Sequence, residues 1–187
     1  MPWKNGGGVT HEIAVSPADA SLEDFVWRLS MAEVAADGPF SSFAGIDRTL
    51  ALMSGAGIEL EFADDHTARV DPLQAPCSFD GGAGCFGRLI DGPILDLNIM
   101  TRRDGMTHRL TVLELAPGQE TLLSGPAAII GHTGDVHVTA AAGSFVLQPR
   151  DVLLDDTSAS GPGEQVTCRA SGTGTSLAFV LHLQSVK

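Results

Sequence analysis

The chain has 187 residues, 43% hydrophobic and 18% charged, which suits one domain or two small modules and supplies enough apolar material for a core. A formal net charge of -12 argues against nucleic acid or an anionic membrane surface as partner, because both reward dense Lys and Arg. No run approaches the roughly 20 apolar residues of a membrane span, and Cys77, Cys85 and Cys168 form no CxxC, so a cytoplasmic protein with reduced thiols is expected.

The chain opens on Pro2-Trp3-Lys4-Asn5-Gly6-Gly7-Gly8, an aromatic, a cation, an amide and a triple glycine with no room for a core. Adjacent glycines let backbone N–H groups approach a ligand closely, so a binding loop is expected there. Beyond it, most segments alternate at period two and are cut by Gly, Pro or Asp turns, the pattern of short strands. These segments are 10–15, 25–31, 49–53, 58–62, 95–101, 109–115, 127–131, 135–139, 144–147, 151–154 and 176–183. One helix start is visible, at Ser16-Pro17-Ala18-Asp19, with room for a turn or two. Residues 52–60 and 129–138 both read strand, glycine turn, strand, a weak internal duplication whose rhythm resembles a cupin module. The expected fold is all-β: a bicupin of two cupin-like barrel or jelly-roll modules packed together with few short helices, divided near 1–107 and 108–187.

In the strand at 95–103, Asp96, Asn98, Met100 and Arg102 share one face, and Leu95, Leu97, Ile99 and Thr101 the other. On the outside of a sheet the polar row is merely solvated. Lining a barrel, it is a binding row, with the planar fork of Arg suited to a carboxylate and Asn offering donor and acceptor together. The same parity places Thr10, Glu12 and Ala14 together, so Glu12 is a candidate for positioning an arginine or meeting a ligand amine. Arg48 follows a turn and precedes apolar residues, so it either reaches the barrel mouth or pairs locally with Asp47. Arg103, on the opposite parity from Arg102, is expected to pair with an acid or cap the following loop.

The histidines His11, His66, His108, His132, His137 and His182 lack the close pairing of a metal-binding cupin, and no tightly bound metal or other cofactor is expected. GxSxG, HExxH and GxxxxGK[ST] are absent, and no spacing identifies a catalytic residue. The sequence therefore offers a binding site more readily than a reaction.

The segment Pro2-Trp3-Lys4-Asn5-Gly6-Gly7-Gly8-Val9-Thr10-His11-Glu12-Ile13 closely resembles the hallmark of the HutD/Ves family. Gly45-Ile46-Asp47-Arg48 and Asp96-Leu97-Asn98-Ile99-Met100-Thr101-Arg102-Arg103 match its other two signatures in order and spacing. The resemblance implies a bicupin fold, a link to bacterial histidine utilisation, and a small pathway metabolite as ligand, with urocanate and formylglutamate the candidates. It also implies a role in limiting the pathway's output, and brings no established catalytic activity. The family's shared residues carry over as Trp3, Lys4, Asn5, Gly6, Gly7, Gly8, Thr10, Glu12, Arg48, Asp96, Asn98, Met100, Arg102 and Arg103. One departure is Gly82, which stands where relatives carry an acid after the Phe.

Both candidate ligands are carboxylates, and the signatures gather Lys4, Arg48, Arg102 and Arg103 in an otherwise acidic chain. Near cations in a partly dry pocket outweigh screened distant acids. Arg48 and Arg102 are expected to contact the carboxylate, with Asn5 and Asn98 orienting the ligand and Trp3 forming an apolar wall. The expected function is a non-enzymatic metabolite-binding protein. One alternative is a metal-independent enzyme on a small carboxylated amide or imidazole, with Glu12 or Asp96 as proton acceptor. Another is an interaction module that docks through the opening loop. A homodimer is expected by analogy with other cupins.

Overall fold

In the computed structural model, residues 7–155 and 164–186 are described. The expected site residues Trp3, Lys4, Asn5 and Gly6 lie outside them. The described residues form seventeen strands and no helix. The chain divides into two compact units, Met1–Thr107 with Val186–Lys187, and His108–Ser185.

The first unit holds β1 (Gly8–Ser16), β2 (Trp27–Val34), β3 (Gly38–Pro39), β4 (Ile46–Ser54), β5 (Ile58–Phe62), β6 (Thr67–Val70), β7 (Cys77–Asp80), β8 (Cys85–Leu89) and β9 (Ile94–Arg102). They form a five-stranded sheet in the order β1-β2-β9-β4-β7 and a four-stranded sheet in the order β3-β8-β5-β6. Val34, Leu50, Leu52 and Ile94 from the larger sheet close on Ile58, Leu60, Phe62 and Val70 from the smaller one. Each such side chain, taken fully from water, stabilises the fold by about 1.5–3 kcal/mol.

The second unit holds β10 (Met106–Leu115), β11 (Glu120–Ser124), β12 (Ala128–Thr133), β13 (Val136–Ala140), β14 (Gly143–Leu147), β15 (Val152–Leu154), β16 (Gln165–Ala170) and β17 (Ser176–Ser185). Its two four-stranded sheets run β10-β17-β12-β15 and β11-β16-β13-β14. Leu115, Ile129, Val136, Val138, Val166 and Cys168 fill its core.

The duplication read from the sequence is structural. In each unit the chain passes from one sheet to the other at a glycine turn, between β4 and β5 and between β12 and β13. Gly55, Gly57 and Gly134 all have positive φ there, and a Cβ on Gly57 would lie 2.5 Å from the Val70 carbonyl oxygen. Only glycine fits such a corner.

Ser16-Pro17-Ala18-Asp19 does not begin a helix. Ala20 N–H bonds back to the Pro17 carbonyl at 3.1 Å and Asp19 takes φ 66°, which closes a tight turn that a helix cannot continue. The sequence pattern also passes over β3, β6, β7, β8, β11 and β16, most of them short and half exposed.

Candidate functional site

Opposed residues in an antiparallel ladder share a face, so the register of the five-stranded sheet shows which side chains line the interior of the first unit. One row reads Val15, Arg28, Met100, Arg48, Phe79 across β1, β2, β9, β4 and β7. The next reads Glu12, Ser30, Asn98, Leu50, Cys77, and the third Thr10, Ala32, Asp96, Leu52. Leu50, Leu52, Cys77 and Phe79 belong to the aliphatic core between the two sheets, so Arg28, Ser30, Arg48, Asp96 and Asn98 share its face.

Arg48 is 5% exposed. Its guanidinium lies 5.2 Å from the Phe79 ring centroid, 5.4 Å from Phe40 and 5.7 Å from Phe43, and Nη1 donates to the Ser41 carbonyl at 3.2 Å. Nε finds no partner among the described residues. Burial lowers the Arg48 pKa to about 10, with the charge of Asp96 opposing that shift, so the side chain stays cationic at neutral pH. Gly81 makes room for its stem, since a Cβ there would sit 3.1 Å from both Cγ and Cδ of Arg48.

Asp96 is 2% exposed, and its Oδ1 is unpartnered among the described residues. Burial pushes its carboxyl up to about 7, against the Arg48 charge and a backbone hydrogen bond from Ala32. Asn98 Oδ1, on the same face, is likewise buried and unpartnered among those residues. Arg28, 6% exposed, is already held: Nε donates to Glu12 Oε2 at 2.7 Å and Nη1 to Ser30 Oγ at 3.3 Å. The face thus carries one neutralised cation, one cation with a free donor, and two acceptors with nothing to accept.

Of the residues expected from the sequence, Glu12, Arg48, Asp96, Asn98 and Met100 come together on this face. Glu12 does position an arginine, Arg28, and its side chain remains 45% exposed. The parity rule fails just beyond it: a bulge between Glu12 and Ala14 puts Val15, not Ala14, on Glu12's side. Met100 is 1% exposed and packs with Phe25 and Ile46, with Val15, Ala20 and Phe43 against them, so it serves as an apolar floor between the two arginines.

Arg102 stands at the end of the row with two of its nitrogens engaged. Nε bonds to the Phe25 carbonyl at 3.1 Å and Nη2 to that of Glu23 at 2.8 Å, which ties the 17–26 loop over Met100. Gly8 is the first ladder residue of β1, opposite Val34, and the Gly7 carbonyl accepts from Ala35 N–H at 2.9 Å, so the glycine segment enters at the edge of the same sheet. Arg103 pairs with Asp47 at 2.7 Å and Asp80 at 3.1 Å. Asp80 also accepts the Gly82 N–H at 2.8 Å, which closes the turn after β7.

Parity and composition did not reveal Arg28, Ser30 or the aromatic surround of Arg48. Arg28 and Ser30 alternate with Leu29 and Met31, a signal that becomes legible only when β2 is paired with β9. In the second unit a surface depression of about 200 Å³ runs along Gly134, Asp135, Ser171 and Ser176, but no buried charge faces it among the described residues. No group of three or more His, Cys, Asp or Glu side chains converges to hold a metal among the described residues.

Known proteins resemble this chain in sequence and in fold. Protein Ves of Citrobacter koseri is 37% identical over 113 residues, which span 60% of this chain and 58% of that protein. The structure of a conserved protein of unknown function from Pseudomonas aeruginosa PAO1 superposes with a TM-score of 0.78 at 25% identity, covering 99% of this chain and 93% of that one. HutD from Pseudomonas fluorescens gives 0.69 at 27% identity, covering 100% and 94%. A cupin 2 conserved barrel domain protein from Leptotrichia buccalis, at 10% identity and a TM-score of 0.64 over 97% of this chain and 91% of that one, shares the fold. The family model HutD matches residues 1–178, a span that takes in all three signatures and every residue of the buried polar face, and the chain belongs to that family.

Proposed function

We propose that the chain is a cytoplasmic small-metabolite-binding protein of bacterial histidine utilisation. Its ligand is a carboxylate, with urocanate and formylglutamate the candidates, and its role is to limit the pathway's output. The observation that carries this reading is Arg48: a cation 5% exposed, walled by three phenylalanines, with Nε unpartnered among the described residues. Asp96 acts on Arg48 through space, but its Oδ1 and Arg48 Nε are both unpartnered among the described residues, and a ligand carboxylate bonded to the guanidinium would offset the cost of burying it. Arg28 stands across Met100 and strengthens the positive field, although Glu12 neutralises much of it. Arg102 acts by holding the 17–26 loop in place, and Trp3, Lys4 and Asn5 remain contacts proposed on the family resemblance.

Calorimetric titration with urocanate, formylglutamate and glutamate, followed by product analysis of the same mixtures, tests the proposal. Saturable binding with unchanged ligand is expected. Arg48→Ala should weaken binding by about 1.5–3 kcal/mol, as loss of a charge-assisted hydrogen bond does, without unfolding the protein. Undiminished affinity in that variant removes the site. A second reading is favoured by Asp96 alone: a carboxyl pushed up to about 7 suits a general base. Turnover of any of the three ligands, lost in Asp96→Asn, would establish that reading instead.

A further inference from the structure

The donors and acceptors of the buried face specify more than an anion. Three buried polar atoms on this face are unmet among the described residues: Arg48 Nε, Asn98 Oδ1 and Asp96 Oδ1. Arg48 Nε is a donor and Asn98 Oδ1 an acceptor, and Asp96 Oδ1 is an acceptor when its carboxyl is ionised, the form that a ligand N–H favours. They also lie in order. Arg48 is opposite Met100, Asn98 is one step of the pleat further along β9 and Asp96 one more, so the cation stands at one end and the residues that carry the acceptors follow with a Cα spacing of about 6.6–6.8 Å along the strand.

A carboxylate on Arg48 satisfies the donor end alone. It leaves two buried acceptors empty, which neither Arg28 nor Ser30 reaches in the structure. An unsatisfied buried acceptor costs about 1–3 kcal/mol. Building on the carboxylate-binding reading, we propose that this site selects carboxylates that also carry an N–H donor, seating the anion at Arg48 and the N–H between the side-chain oxygens of Asn98 and Asp96. The N–H can belong to an azole ring, a secondary amide or an ammonium group, and the shared requirement is a donor a few bonds from the carboxylate. An apolar carboxylate of the same outline enters with its anion satisfied and the two oxygens still bare. Rejection by unpaired site oxygens is far stronger than rejection by shape.

Three matched pairs test this by titration calorimetry on the intact chain: urocanate against 3-(2-furyl)acrylate, formylglutamate against its N-methyl derivative, and glutamate against glutarate. In at least one pair the N–H member should bind about tenfold tighter or more, and the pair that shows it identifies the kind of donor. Asn98→Ala and Asp96→Ala, each checked for folding by near-UV circular dichroism, should shrink that ratio several-fold; the ratio within each variant is the readout, because removing Asp96 also takes a negative charge from near Arg48 and shifts the affinity of both members together. A ratio near one in all three pairs overturns the inference and leaves the carboxylate reading standing. Failure of every member to bind overturns both. A preference that survives in both variants puts the acceptor elsewhere and overturns the inference as well.

Discussion

Each unit encloses an aliphatic cluster with two sheets, yet among the described residues the polar side chains that escape solvent concentrate in the first: Arg28, Ser30, Arg48, Thr49, Asp71, Asp96 and Thr101, against Ser176 in the second. In the second unit His132, His137 and His182 do leave Nδ1 buried and unpartnered among the described residues, but burial lowers the pKa of His132, whose ring packs at 4.9 Å from Phe179. A neutral ring nitrogen is a far smaller desolvation problem than a guanidinium or carboxylate. The same strand arrangement therefore holds no buried charged side chain in one unit, among the described residues, and tolerates several in the other. The proposed ligand site lies in the unit that carries the buried charge, where stability is given up.

Damage to the aliphatic unit is the most severe way to sharpen this contrast. Ile129 is 1% exposed, and Ile129→Ala should destabilise the protein by about 2–5 kcal/mol in urea denaturation while the folded fraction keeps its ligand affinity within about twofold. Loss of binding in folded Ile129→Ala would break the division of labour.

Asp96 gives the next effect. Its carboxyl is raised above its ordinary 3.8 to about 7 by burial, so the folded state favours the protonated form. The associated stabilisation is complete below about pH 4 and is lost as pH rises through 7, with an upper bound of ~4 kcal/mol. Asp96→Asn should flatten that slope and exceed the wild type in stability at pH 8, measured by urea midpoints at pH 5 and 8. Parallel slopes in the two proteins would refute the assignment.

Smaller still are the arginines after the row. Arg102→Ala removes two hydrogen bonds to the 17–26 loop, so faster amide exchange there and a loss of about 1–3 kcal/mol are expected, with a smaller drop in affinity than in Arg48→Ala. Arg103 is half exposed in its pairs with Asp47 and Asp80, and Arg103→Ala should leave the urea midpoint nearly unchanged. An Arg102→Ala affinity loss equal to that of Arg48→Ala would return Arg102 to direct contact.

Parity within a strand was legible in the sequence, and register between strands was not. Asp96, Asn98 and Met100 announce a shared face because the pleat has a fixed period. Arg28 shows the same alternation, but its place beside Met100 depends on a pairing between segments nearly seventy residues apart in the chain, which a single sequence does not encode. The phenylalanines around Arg48 arrive from β7 and from the 40–45 loop, where no periodicity operates. The acceptors' lack of partners is a three-dimensional fact, because only a closed interior removes water as the default partner. Short strands such as β6 and β7 escaped notice because four residues that alternate between exposed and half-buried carry little hydrophobic signal.

The bulge in β1 gives that strand one residue more than its ladder pairs, and Ile13 is the surplus. Deleting Ile13 would leave Glu12 opposite Ser30 and Val15 opposite Arg28. A deletion between Gly8 and His11 would instead turn every residue upstream of the cut to the other side of the sheet, glycine segment included. Tolerance to length change in β1 therefore hinges on one position, and natural or engineered variants of this chain should shorten there or nowhere in the strand.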